Sequence, residues 1–129
     1  NPSLIKHPKE LFPKAEFKVL DIQEADPGKY DYIVSTSCFN LKLINQDNYE
    51  FIHNLMKRSY SFANKGVAID FLTSYVDFKG NPEEAFYYSP KKIFELAKLV
   101  TKRVALRHDY PLFEFCIYLY PDFKGWSQK

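Results

Sequence analysis

RVALRHDYPLFEFCIYLY, residues 103–120, holds two β-strands and a short connection. Arg103–His108 reads as the first strand. Phe113–Tyr120 reads as the second, because Phe113, Phe115, Ile117 and Leu119 alternate with Glu114, Cys116, Tyr118 and Tyr120. The connection between them, Asp109 to Leu112, is too short for a crossover, so the two strands pair antiparallel. Upstream, strands alternate with helices, and that alternation implies a parallel sheet. The expected class is α/β: a mostly parallel sheet ending in one reversed strand.

The elements upstream of the hairpin carry their own signals. SPKKIFELA (89–97) opens a helix with Ser89 as cap and Pro90 in the first turn. Ile93, Phe94, Leu96, Ala97 and Val100 give it an apolar stripe. VAIDFL (67–72) is a strand. Asp47–Ala63 is a second helix: Asp47 caps it, Glu50 completes a capping box, and Tyr49, Ile52, Met56, Tyr60 and Ala63 share one face. Asn64 and Gly66 are the expected stop. Asp31–Ser35 is the strand before that helix. Glu16–Ile22 (EFKVLDI) reads as a further short strand ending at Asp21, followed by a turn over 24–29. Pro8–Phe12 reads as the last turn of a helix halted by Pro13. The segment between the 67–72 strand and the 89–97 helix, TSYVDFKGNPEEAFYYS (73–89), is long for a connection, and such loops are usually functional.

Totals narrow the functional classes. A chain of 129 residues suits a single domain, residues 1–129. Hydrophobic residues make up 46% and charged residues 26%, so the chain folds and is not disordered. The net charge of +2, from 18 basic and 16 acidic residues, is too mixed for a phosphate-tracking surface, and nucleic acid is an unlikely partner. The two cysteines, Cys38 and Cys116, form no disulfide framework and no CxxC pair, so no metal site is expected. No apolar run is long enough to span a membrane, and NPSLIKHPKE at the start has no apolar leader core. The expected location is cytoplasmic.

KYDYIVSTSCFN (29–40) poses the functional question. Tyr32, Ile33 and Val34 make a strand, and then Ser35, Thr36, Ser37 and Cys38 follow. Small side chains with hydroxyls do little for a core. At the carboxyl end of a parallel strand they let a ligand approach the backbone and offer hydrogen bonds without fixed charge. A polar strand end with local serine turns is the plainer alternative.

Taken together, FKVLDI (17–22), YDYIVSTSCFNL (30–41), the strand after Gly66, the Tyr-rich loop before SPKKIFELA, and RVALRHDY…FEFCIYLY resemble the C-terminal two-thirds of a class I S-adenosylmethionine-dependent methyltransferase. The order matches, and the reversed last strand is the most specific feature. The resemblance implies a Rossmann-like fold with its N-terminal strands missing from this chain. The glycine-rich cofactor turn is absent: the four glycines, Gly28, Gly66, Gly80 and Gly125, are all far apart. The absent strands are expected from an upstream segment or from another chain.

The same resemblance implies methyl transfer with S-adenosyl-L-methionine as cofactor, to a small-molecule acceptor. This chain would be a portion of the catalytic domain and inactive alone. A methyltransferase-like subunit that has lost the cofactor is the alternative. The implied cofactor residues are Asp21 and Ile22 at the adenine, and Ser35, Thr36, Ser37 and Phe39 along the flank where the acceptor docks. Asn40, Tyr75, Tyr87 and Tyr88 are the candidate acceptor residues; the loop aromatics Tyr75, Phe78, Phe86, Tyr87 and Tyr88 either close over an acceptor or pack on the sheet edge. No catalytic acid or base is named, because methyl transfer from a sulfonium depends mainly on alignment. Asp31 is expected to pair locally, His53 to pack, Asp109 to shape the hairpin turn, and Cys38 to be a small packing residue.

Overall fold

The computed structural model describes residues 2–78 and 83–122. A 3-10 turn, Pro2–Ile5, leads into α1 (Lys6–Leu11). The remaining elements are β1 (Tyr30–Ser35), α2 (Asn48–Phe62), β2 (Ala63–Leu72), α3 (Pro90–Val100), β3 (Arg103–Arg107) and β4 (Glu114–Tyr120). The strands form one sheet in the order β1-β2-β4-β3. β1 and β2 pair parallel, while β4 runs antiparallel to both β2 and β3. β1, β2 and β3 thus share a direction and β4 alone is reversed, as the hairpin requires.

Both long helices start as their caps dictate. The Asp47 carboxylate accepts the Glu50 N–H at 2.9 Å, and Ser89 Oγ accepts the Lys92 N–H at 3.4 Å. The end of α2 differs from the expectation. Asn64 and Gly66 do not stop it; Ala63 is already extended and begins β2, four residues earlier than Val67. The reason is pairing. Tyr30 of β1 lies opposite Ala63, so the ladder takes the chain as soon as the helix releases it. Gly66 serves a different purpose. A Cβ there would sit 3.3 Å from the Leu119 carbonyl oxygen and 3.4 Å from the Tyr120 ring.

The core lies on one side of the sheet. Val67, Ile69 and Phe71 of β2 and Phe115, Ile117 and Leu119 of β4 meet Ile52, Leu55 and Met56 of α2 and Ile93 and Ala97 of α3, all buried. Alternation along each strand sends the other set, including Tyr32, Val34, Ala68, Tyr118 and Tyr120, to the opposite face. No described helix covers that face. Tyr32 is 62% exposed and Val34 66%.

The expected strand at Glu16–Ile22 does not form. The segment is irregular, with Val19 and Leu20 exposed, and Asp21 begins a turn in which its carbonyl accepts the Glu24 and Ala25 N–H groups. A strand needs a ladder, and no described strand lies beside this one. What fixes it is α2. Arg58 donates from Nε to the Ile22 carbonyl at 2.7 Å and from Nη2 to the Ala25 carbonyl at 2.8 Å. Lys29 Nζ donates to the Ser61 carbonyl.

Candidate functional site

β1 ends at Ser35, whose Cα partner is Ile69 of β2. The chain then turns sharply. Ser37 takes a left-handed backbone, φ 54°, which is uncommon for a residue other than glycine. Its N–H donates to Asp70 Oδ1 of β2 at 2.6 Å, a charge-assisted bond that holds the turn against the sheet. Cys38 Sγ donates to the Thr36 carbonyl at 3.1 Å. Cys38 is exposed, so the expectation of a packing residue is corrected: the left-handed turn aims it away from the core.

The chain after the turn is fastened to the loop that precedes α3. Tyr88 Oη donates to the Phe39 carbonyl at 2.9 Å and accepts from Asn48 Nδ2 at 3.1 Å. Asn48 also donates to the Leu41 carbonyl and accepts the Leu43 N–H, each at 3.0 Å. Asn40 Oδ1 accepts the Leu72 N–H at 3.2 Å, and the Asn40 carbonyl accepts the Phe86 N–H at 2.9 Å. The Leu72 carbonyl in turn accepts the Tyr88 N–H.

This network engages two of the candidate acceptor residues. Tyr88 is fully buried, packed on Phe71, Tyr49 and Phe86, and cannot face an acceptor. Asn40 spends its side-chain oxygen on β2. Both position the Phe39 stretch. Burial pushes the Tyr88 phenol up from its ordinary pKa, so it stays a hydrogen-bond donor at neutral pH. Asn48 is the residue that sequence reading missed. A second amide beside the Asp47 cap was the available signal, but only the closed loop gives it partners.

The cofactor candidates divide into two groups. Asp21, Ile22 and Phe39 come together in a cleft of about 470 Å³, with Leu20, Phe51 and Leu55 as apolar walls and Gln23 and Gln46 at its polar side. Phe39 leans on Phe51 with ring centroids 6.0 Å apart. Asp21 Oδ1 accepts the Gln23 N–H at 2.8 Å, and a carboxylate has capacity for further donors. A cleft with apolar walls on one side and a carboxylate and two amides on the other can take a flat ring that carries an N–H donor. Ser35, Thr36 and Ser37 form the second group, at the carboxyl end of β1. Ser35 is half-buried, and Thr36 and Ser37 are exposed.

Tyr75 and Tyr87 lie toward the other side of the sheet end. Tyr75, 66% exposed, stacks on His108 at 6.0 Å and 22°. Tyr87 meets Phe78 edge-on, and Phe78 meets Phe113. Phe86 packs on Tyr49, so the loop aromatics split between core and surface. His108 and Asp109 make no acid–base pair. Asp109 instead takes both Arg107 Nε and Nη2, at 3.1 and 3.0 Å. Nearby, burial and the adjacent Cys116, Glu114 and Asp70 push Tyr110 up to about 12. Asp31 pairs with Lys65 at 2.7 Å. His53 is half-buried, and burial with the Lys57 charge holds its pKa below the ordinary value. Among the described residues, no cluster of three or more His, Cys, Asp or Glu side chains is placed to hold a metal, and no helix is long and apolar enough to cross a membrane.

No protein-family model matches the chain. It is 33% identical over 90 residues to a Mycobacterium tuberculosis protein named "Putative methyltransferase Rv1506c", covering 67% of this chain and 54% of that protein. It is 41% identical over 56 residues to "Putative methyltransferase 235L" of Invertebrate iridescent virus 6, covering 43% of this chain and 21% of the viral protein. The chain therefore spans about half of the first relative and about a fifth of the second. Among solved structures, magnesium protoporphyrin IX methyltransferase (ChlM) from Synechocystis PCC 6803 superposes in its SAH-bound form with a TM-score of 0.63 at 12% identity, over 91% of this chain and 57% of that one. The SAM-bound form gives 0.59 at 13% identity. The chain has the class I methyltransferase fold, as a portion of it, and is related in sequence to proteins named as methyltransferases.

Proposed function

We propose that the chain, a portion of the class I methyltransferase fold, supplies one side of the cofactor site and part of the acceptor site of an S-adenosylmethionine-dependent methyltransferase acting on a small molecule. The observation that carries this reading is the meeting of Asp21 and Ile22 with Phe39, distant in sequence, in one cleft whose lining is half apolar and half polar and includes the Asp21 carboxylate. When bound, the cofactor supplies a methyl group already activated on a sulfonium sulfur. Asp21 accepts a hydrogen bond from the adenine amino group. Ile22, Phe39 and Phe51 exclude water from the ring. Ser35, Thr36 and Ser37 line the flank of the methionine end, where small side chains leave the backbone accessible.

Tyr75 and Tyr87 are the proposed acceptor contacts. Asn40 and Tyr88 position the Phe39 stretch behind them. A protein-sized acceptor is less favoured, since the aromatics form a local cluster and not a broad charged surface. The outer edge of β1 has no ladder partner among the described residues, and the absent strands would pair there, contributed by an upstream segment or another chain. A cytoplasmic location accords with the free thiols of Cys38 and Cys116.

A non-catalytic reading draws support from the glycines. Gly28 ends a turn and Gly66 sits within β2, so neither builds a phosphate- or carboxylate-cradling loop. Titration calorimetry separates the readings. The 129-residue chain alone is expected to bind S-adenosylmethionine more weakly than micromolar, and the chain joined to the strand-bearing segment of its own gene product is expected to bind at micromolar affinity or tighter. Absence of binding in the joined protein would establish the non-catalytic alternative.

A further inference from the structure

The stretch that follows β1, residues 36–40, is fastened at both ends. At its far end Asn40 Oδ1 accepts the Leu72 N–H at 3.2 Å, and Tyr88 Oη donates to the Phe39 carbonyl at 2.9 Å. At its near end the fastening is Asp70, whose Oδ1 accepts the Ser37 N–H at 2.6 Å. Strand register explains how Asp70 comes to be there. β1 and β2 run parallel with Ser35 abreast of Ile69, and Asp70 is the next residue along β2. Ile69 is buried in the core, so alternation turns Asp70 to the other face of the sheet. A chain that merely extended β1 would carry the Ser37 amide past the end of the ladder. The left-handed backbone at Ser37, φ 54°, folds that amide back to the Asp70 carboxylate. A serine disfavours this conformation, so an outside contact must hold it. A backbone amide bonds a charged acceptor roughly twice as strongly as a neutral one.

Asp70 is otherwise an unusual residue for its place. It is half-buried on an interior strand, and half-buried carboxylates need compensation. The residue abreast of it on β4 is Cys116, which carries no basic group. Arg107 stands abreast of Cys116 on β3, but its guanidinium bonds Asp109 through Nε at 3.1 Å and Nη2 at 3.0 Å. The Ser37 N–H is the donor that Asp70 receives, and the turn after β1 is what the carboxylate organises.

We propose that Asp70 is a positioning residue for the cofactor: by holding the Ser37 amide, it sets how Ser35, Thr36 and Ser37 meet the methionine end of S-adenosylmethionine. This rests on the cofactor reading above. Asp70 acts through the turn and not by contact with the cofactor. Its removal leaves the Asn40–Leu72 and Tyr88–Phe39 bonds in place, so the change is confined to the flank and spares the cleft at Asp21 and Phe39.

The test is titration calorimetry on the chain joined to the strand-bearing segment of its own gene product, with S-adenosylmethionine, S-adenosylhomocysteine and adenosine as probes. Asp70→Ala is expected to weaken the first two about ten-fold, the worth of one charge-assisted hydrogen bond. They should fall together, because a displaced flank costs both the same contacts. Adenosine, which lacks the methionine end, should bind as it does to wild type. Asp70→Asn keeps an acceptor oxygen and should return affinity to within about three-fold of wild type. In cofactor-free NMR spectra, the Ser37 amide proton should move upfield in Asp70→Ala and only part of the way in Asp70→Asn. Thermal unfolding checks that each variant folds; Asp70→Leu, which keeps the side-chain volume, replaces Asp70→Ala if the latter does not. The proposal is overturned if the folded variant binds both cofactor forms as wild type does. It is also overturned if only S-adenosylmethionine, with its sulfonium charge, is weakened, or if adenosine binding falls in step. Wild-type protein that binds none of the three probes would overturn the cofactor reading itself, and this inference with it.

Discussion

The two faces of this sheet come from the same strands and differ in everything that packing provides. On the covered face, every inward residue of β2 and β4 from Val67 to Phe71 and from Phe115 to Leu119 is buried under α2 and α3. On the open face, residues one step along the same strands stay partly or largely in water. β1 shows the difference within a single strand, with Ile33 packed against the core and Tyr32 and Val34 exposed. A period of two gives each strand two faces, and the chain's own helices satisfy only one. The cleft at Asp21 and Phe39 follows the same division: it forms where α2 holds the 20–25 segment, on the covered side.

The largest expected contrast lies in the core. Phe115→Ala should destabilise the fold by about 3–5 kcal/mol, as truncations of buried aromatics do, while Tyr118→Ala, its open-face counterpart on β4, should lie below about 1 kcal/mol. Chemical denaturation measures both. Equal losses would mean that the open face is already packed in solution.

Tyr88→Phe probes the tie between the loop and the covered side. It removes the donor to the Phe39 carbonyl and the acceptor for Asn48. A loss of about 1–3 kcal/mol is expected, because buried partners are left unsatisfied. In the complete protein, cofactor affinity should fall as well. A variant that keeps full stability would show that water replaces the hydroxyl and that the site is open there.

Thr36→Leu sharpens the reading of the β1 carboxyl end. It should leave stability near wild type, since Thr36 is exposed, and weaken S-adenosylmethionine binding by the complete protein about ten-fold, roughly 1.4 kcal/mol. Unchanged affinity in calorimetry would remove residues 35–39 from the site.

The smallest effect belongs to the exposed edge of β1. The hydrogen bond from Lys65 holds the Asp31 carboxyl below the ordinary aspartate range. Its contribution is therefore present above about pH 4 and lost as pH falls through the lowered folded value. Asp31→Asn should lower the urea midpoint slightly at pH 7 in low salt. At pH 2 or in 1 M salt the difference should vanish. A difference that persists in acid would assign Asp31 a role other than its charge.

Much of the fold was legible because its signals are local. Ser89 and Asp47 cap helices through groups a few residues away, and the alternation in Phe113–Tyr120 sorts that strand's faces without reference to any partner. The short 109–112 connection fixed the reversed strand on geometry alone. The candidate site was legible only in part. The polar end of β1 and the acid at Asp21 could be named from their positions, but the meeting of Asp21 with Phe39 in a cleft depends on Arg58 reaching across from α2 to hold the 20–25 segment.

Sequence by itself determined the two long helices, the four strands of the sheet, the direction of the last strand, and the small polar residues after β1. Those depend on caps, periods and loop lengths within a few residues. Tertiary structure decided the rest. Glu16–Ile22 has the composition of a strand but no neighbour to pair with, and Tyr30 drew Ala63 into β2 before Gly66 could end the helix. Tyr88 reads as one more loop aromatic until the closed loop buries it against Phe71. Pairing and burial are properties of two segments at once, and no single stretch of sequence contains them.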